Sequence, residues 1–165
     1  YKIAEYGFNI SSCQFALHYF FQDPNILQGF LINVAECTKL NGYFIGTAYD
    51  GKKIFNMLAD KNINESVKIM ENDKKIWEIV KEYESYSFKD DSSSIGYKIT
   101  VFQESINQYI SEYLINFDYL NRLMEQYGFK LLEDNEAMEM GFPKSIGNFE
   151  LMYNKMMYVA YILIM

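Results

Sequence analysis

The chain contains one histidine, His18, and it stands in the aromatic run Leu17-His18-Tyr19-Phe20-Phe21, just after Gln14 and Phe15. The unperturbed imidazole changes charge close to neutral pH, which makes His18 the first candidate for chemistry. Taken alone, a histidine among aromatic residues is more often a satisfied core or pocket-edge group than a catalytic one. Gln14 and Phe15 close an apolar segment that reads as a buried strand, and open α/β sheets place their ligands at the carboxyl ends of such strands. Far along the chain, Glu112 lies between Tyr109 and Leu114, where alternation alone would turn its carboxylate to solvent. Glu104 beside Gln103 reads as a surface pair. Asp90-Asp91 reads as a solvated loop rather than a metal site, because too few ligands converge there. Cys13 and Cys37 have no metal-ligand spacing and read as small buried hydrophobes in a reducing compartment, with no disulfide and no zinc.

Bulk composition narrows the partners. The 165 residues carry 15 Lys+Arg against 22 Asp+Glu, a formal charge of -7, and 50% of them are hydrophobic. That suits one globular domain and excludes a disordered tail. It also excludes nucleic-acid binding driven by charge alone, so any such contact must be local. No segment reaches the roughly 18 apolar residues of a membrane span. The chain opens on Tyr1 rather than Met, from which a cut out of a longer polypeptide is expected.

The elements that must position these residues alternate. A strand over Phe8–Phe15 leads to a helix capped by Asp23 with Pro24 at its first position, and Ile26, Leu27, Phe30, Leu31, Val34 and Ala35 share one face. That helix is expected to stop near Asn41-Gly42, with Gly42 left-handed. Tyr43–Thr47 reads as a second buried strand, and Asp50–Asp60 as a helix presenting Ile54, Phe55 and Leu58. The stretch around Trp77 reads as an antiparallel insertion over about 65–96, ending in the polar Asp90–Ser94 loop. Strands are expected at Tyr97–Phe102, Tyr109–Ile115 and Phe129–Glu133, with a helix capped by Asn116 and closed by Gly128 between the last two. A final helix over Ile146–Met157 and a strand or ragged end over Val159–Met165 complete the reading, an α/β layered sheet.

The string Ser11-Ser12-Cys13-Gln14-Phe15-Ala16-Leu17-His18-Tyr19-Phe20-Phe21 resembles the motif after the fourth strand of messenger-RNA cap (guanine-N7) methyltransferases. Three further blocks follow in the family's order: Gly42–Thr47, then Gly96–Ile99 with Gln103-Glu104-Ser105, then Ser111–Leu120. The likeness runs from about Phe8 to Leu132. Its wording is nearest the methyltransferase domains in the large capping enzymes of nucleocytoplasmic giant viruses, where a segment like Gly147–Met156 also occurs.

The resemblance implies an α/β fold of the class I, Rossmann-like S-adenosylmethionine-dependent methyltransferases. Specifically, it implies the second half of that sheet, with an antiparallel last strand and the β-rich insertion. It implies methyl transfer from S-adenosylmethionine to N7 of the cap guanine, without metal or membrane. By family position, His18, Tyr19 and Glu112 would form the cap-guanine pocket, and Gln14 and Phe15 would contact the cofactor. Asn9 departs from the Asp usual in relatives, and the Gly-rich cofactor turn is not among these residues. The implied partners are a capped RNA 5′ end, the N-terminal half of the domain and other capping domains of the same polypeptide. The implied location is the cytoplasm, or a virus factory or virion. On this reading the piece alone would be inactive. A second reading is a non-catalytic, methyltransferase-like stimulatory subunit that docks on a catalytic chain.

Overall fold

The computed structural model describes residues 5–141, 144–148 and 158–164. Strand β1 (Phe8–Gln14) passes through a 3-10 turn (Leu17–Gln22) and helix α1 (Pro24–Cys37) into a parallel partner, β2 (Thr38–Tyr49). Asp23 starts α1 as its composition predicts: the carboxylate accepts from the amides of Asn25 (2.8 Å) and Ile26 (3.1 Å). Leu27, Phe30, Leu31 and Val34 are buried against the sheet, whereas Ile26 lies at the exposed margin of that face.

The helix does not run to Asn41-Gly42. It ends at Cys37, and β2 begins on the next residue. The β1–β2 register jumps from Phe8↔Thr38 to Ile10↔Tyr43, so residues 39–42 bulge out of the ladder. Asn41, not Gly42, takes the left-handed conformation, with φ +60°. Gly42 serves close approach instead: a Cβ there would stand 2.7 Å from the Lys39 carbonyl oxygen and 3.0 Å from that of Phe8.

After α2 (Gly51–Met57), the chain builds a separate antiparallel sheet, ordered β3 (Ser66–Glu71), β4 (Lys74–Lys81), β5 (Lys98–Gln103), β6 (Gln108–Tyr113). This sheet extends past the expected limit near 96, because β5 pairs with β4 (Val80↔Thr100) and β6 with β5, rather than either joining β2. Helix α3 (Phe117–Gln126) follows its predicted Asn116 cap. Next come β7 (Lys130–Leu131) and an unanticipated helix, α4 (Asp134–Glu139), started by a capping box between Glu133 and Glu136.

The expected helix over Ile146–Met157 is corrected at its start: Ile146–Asn148 is a strand, β8, paired with β9 (Tyr158–Ile164). The ladder there overrides a helical apolar spacing; the rest of that segment lies outside the described residues. Strand β9 runs antiparallel between β2 (Tyr43↔Ile164, Tyr49↔Tyr158) and β7, giving the order β1-β2-β9-β7 with the expected reversed last strand. Among the described residues β1 is therefore the sheet edge. The apolar run predicts a buried strand, yet Phe8 and Ile10 are 49% and 55% exposed, since no described element covers them.

Two cores result. One packs α1, α3 and β2 around Leu31, Phe44, Leu120 and Phe129; the other packs α2 and the second sheet around Ile54, Leu58, Ile79 and Ile99. The end of β2 crosses from the first core, through Ala48, to the second, through Tyr49.

Candidate functional site

The chain leaves β1 at Phe15 in a left-handed conformation, φ +52°, with its amide donating to the carbonyl and hydroxyl oxygens of Thr47, both at 3.0 Å. That turn off the strand tip starts the 3-10 segment, whose Leu17, His18 and Phe21 are buried. A second tie comes from the far sheet: the Gly96 amide donates to the Phe21 carbonyl at 2.9 Å as the chain enters β5. Gly96 has φ +87°, a conformation in which a side chain would be strained. The 3-10 turn is thus held between the carboxyl end of the parallel β1–β2 pair and the start of β5.

Against it lies β6. Tyr109 is exposed on one face of that strand, while Glu112 is 7% exposed on the other, opposite Ile99. Alternation along the strand predicted which residues share a face, and the tertiary packing turns the Glu112 face inward rather than to solvent. His18 Nδ1 stands 3.5 Å from Glu112 Oε2. Tyr19 packs edge-on against the imidazole, with ring centroids 4.2 Å apart and planes at 70°, and remains 43% exposed. The three residues assigned to one pocket are therefore together, although 94 positions separate His18 from Glu112 (112 − 18).

The electrostatics of this cluster are unusual for a protein interior. Both ring nitrogens of His18 and Oε2 of Glu112 are buried without a hydrogen-bond partner. Burial pushes the imidazole down to about 4 and the Glu112 carboxyl up to about 7. It also raises the Tyr19 phenol, with the Glu112 carboxylate adding to the effect. At neutral pH the imidazole is uncharged and the carboxyl is divided between acid and carboxylate. Buried polar atoms are nearly always paired, since leaving one unpaired costs about 1–3 kcal/mol. Two of these three atoms, His18 Nδ1 and Glu112 Oε2, face each other at 3.5 Å, so the acid and the imidazole are each other's nearest polar company in this interior.

Gln14 closes β1 and Phe15 follows it in the turn. Phe15 is 49% exposed. The Gln14 amide nitrogen turns back on the sheet, donating to Ser12 Oγ (2.9 Å) and the Ile45 carbonyl (3.3 Å). Sequence reasoning did not single out Tyr49, whose hydroxyl accepts from Trp77 and Gln103, 28 and 54 positions away. It also passed over Lys81, a buried cation in the same cross-strand row as Ile99 and Glu112, whose Nζ donates to the carbonyls of Leu58 and Lys61. A tyrosine or lysine at a strand end carries no local mark of partners so distant. Among the described residues no group of His, Cys, Asp and Glu is arranged to hold a metal ion, and no helix is long and apolar enough to cross a membrane.

Residues 1–158 match the mRNA (guanine-N(7))-methyltransferase domain family. The chain is 30% identical over 146 residues to the mRNA cap guanine-N(7) methyltransferase of Saccharomyces cerevisiae, covering 86% of this chain and 33% of that protein. It is 32% identical over 130 residues to a probable mRNA-capping enzyme of Acanthamoeba polyphaga mimivirus, covering 75% of this chain and 11% of the viral protein. The chain thus spans about a third or less of these relatives. In three dimensions it resembles an S-adenosylmethionine-dependent methyltransferase from Clostridium acetobutylicum (TM-score 0.54, 13% identity), over 100% of this chain and 61% of that one. It also resembles the CcbJ methyltransferase from Streptomyces caelestis (TM-score 0.54, 9% identity), over 99% and 59%. Those two likenesses speak to the fold.

Proposed function

The chain belongs to the mRNA (guanine-N(7))-methyltransferase domain family, and from that premise we propose that it forms the cap-guanine side of an S-adenosylmethionine-dependent methyl transfer to guanine N7. One observation carries the assignment of residues: His18 and Glu112, buried 3.5 Å apart with unpartnered polar atoms, beneath the partly exposed ring of Tyr19.

Guanine presents two donors, N1–H and the N2 amine, on its Watson–Crick edge, with the acceptor O6 beside them. A Glu112 carboxylate suits the donors, and the neutral imidazole of His18 has one N–H to offer O6. The N7 lone pair is already free, so no general base is required. When bound, S-adenosylmethionine supplies a methyl group on a cationic sulfur; N7 takes the carbon and the sulfur keeps the bonding pair. The guanine ring becomes cationic as that bond forms, and its hydrogen bonds to Glu112 strengthen. The carboxylate therefore stabilises the transition state more than the ground state. Tyr19 offers a ring face to the same developing charge, an effect of about 0.5–2 kcal/mol. Alignment of the two reactants and exclusion of water supply the rest of the rate, on the order of 7–11 kcal/mol.

Fit to the methyl donor rests on the tip of β1. There the half-exposed Phe15, whose backbone amide is held by Thr47, offers an apolar side chain at a strand's carboxyl end. Gln14 stands beside it with its amide nitrogen engaged on the sheet. These residues suit one wall of a nucleoside site. The remaining walls would come from the first half of the domain, within a longer capping polypeptide, and the piece alone would be inactive. A purely stimulatory subunit has no need of a buried acid–imidazole pair, which favours the enzymatic reading.

The test is cap-analogue binding by the full-length protein and its Glu112→Ala variant. Loss of guanine discrimination with S-adenosylmethionine affinity kept is the expected result; unchanged cap binding removes Glu112 from the site.

A further inference from the structure

The geometry points to Tyr49 as a positioning residue that sets the donor side of the reaction against the guanine side, an inference that rests on the function proposed above. The two sides stand on different sheets. Phe15, on the donor side, is held by Thr47 near the carboxyl end of β2, and Tyr49 is the last residue of that strand. Glu112, on the guanine side, belongs to β6 of the second sheet.

The Tyr49 hydroxyl is where the sheets share a polar contact. It accepts from Trp77 Nε1 of β4 at 3.0 Å and from Gln103 Nε2 of β5 at 2.8 Å. Trp77 and Gln103 are directly paired across the β4–β5 ladder, so two donors from adjacent strands converge on one oxygen. The Tyr49 and Trp77 rings also pack at 6.3 Å, and Tyr49 is 5% exposed within the core of the second sheet. A phenol fixed at both lone pairs can neither slide along the second sheet nor rotate against it without breaking a half-buried hydrogen bond.

The same strand, β5, carries Ile99 opposite Glu112 at its other end. A tilt of the second sheet about β2 would therefore move the Glu112 carboxylate relative to Phe15. Methyl transfer is sensitive to such a tilt, because a misplacement of about 1 Å can cost about a hundredfold in rate while each substrate still binds.

The experiment compares the full-length protein with its Tyr49→Phe variant, which keeps the ring and removes the acceptor. Methyl transfer to a capped RNA and the KM of each substrate are measured, with folded enzyme counted by active-site titration. The bond itself is followed by the fluorine NMR signal of 5-fluorotryptophan at position 77, assigned by its loss in Trp77→Phe. The expected result is a kcat lower by about tenfold or more, both KM values within about twofold of the parent, and a shifted Trp77 signal. Gln103→Met, which removes one donor, should move kcat in the same direction by less.

A shifted Trp77 signal with unchanged kcat overturns the proposal. So does an unshifted signal, or an activity loss that tracks only the amount of folded enzyme. An inactive parent protein would instead sink the functional reading, and the positioning role with it, since no reaction would be left to align.

Discussion

Burial, rather than a neighbouring charge, sets the protonation of the two acid–base groups in the candidate pocket, and this makes binding dependent on pH in a definite direction. The carboxylate of Glu112 is the form that accepts guanine's donors, and its carboxyl is pushed up to about 7. Cap-analogue affinity of the full-length protein should level off above about pH 7 and fall by roughly tenfold per unit below it. Glu112→Gln should flatten that profile; an unchanged slope in the variant would assign the titration elsewhere. Stability should move the other way. With its pKa raised from 4.5, Glu112 contributes stability that is fully present below about 4.5 and is lost as pH rises through about 7. With its pKa lowered from 6.5 to about 4, His18 contributes stability that is lost as pH falls through that window. Glu112→Gln should therefore melt higher than the parent at about pH 8.5, by the equivalent of about 1–3 kcal/mol, with little gain near pH 5. Thermal unfolding at the two pH values checks the sign. Such a gain in stability with loss of cap binding is the signature of a site kept for function.

At the scale of elements, Asn116 shows how a short signal in the sequence acquires tertiary weight. Its side-chain oxygen accepts from the Tyr119 amide at 3.1 Å, which starts α3 as its type and place predict. Its nitrogen donates to the Lys89 carbonyl (2.9 Å) and Asp90 Oδ1 (2.8 Å), so the same fully buried residue also pins the polar loop before β5. Asn116→Ala removes a cap, worth about 1 kcal/mol, and leaves acceptors short of donors. The expected loss is about 2–3 kcal/mol by chemical denaturation. Asn116→Asp keeps the cap but faces Asp90 with a like charge, and should recover only part of that loss. Cap affinity per folded molecule should stay unchanged in both, which separates this brace from the pocket.

For the molecule as a whole, the edge of β1, which has β2 as its one partner among the described residues, governs behaviour in solution. Phe8 and Ile10 are about half exposed there, and an apolar cavity of about 490 Å³ opens beside the strand between Phe20, Ile26, Phe30 and Val34. An unpaired strand edge next to apolar surface is a template for association. The 165-residue chain expressed alone should self-associate, as read by light scattering after size-exclusion chromatography. A monodisperse monomer with one cooperative melt would contradict this. Local chemistry explains what was legible beforehand. Asp23-Pro24 and Asn116 act within three or four residues, and apolar periodicity marks α1, β2 and α3 wherever they pack. The Gln14–Tyr19 string could likewise be read as a resemblance because its residues are contiguous. What needed the folded chain was every fact that depends on distant partners. These include the end of α1 at Cys37, where Thr38 pairs with Phe8 of β1, and the strand at Ile146–Asn148, which pairs with β9. They also include the inward turn of Glu112, which alternation places on a face without saying which face is covered. The meeting of His18 with Glu112, and of Tyr49 with Trp77 and Gln103, belongs to this class too. Hydrogen-bond and packing partners chosen across tens of residues leave no imprint on the neighbours of either one, so their pairing is decided by the docking of the two sheets.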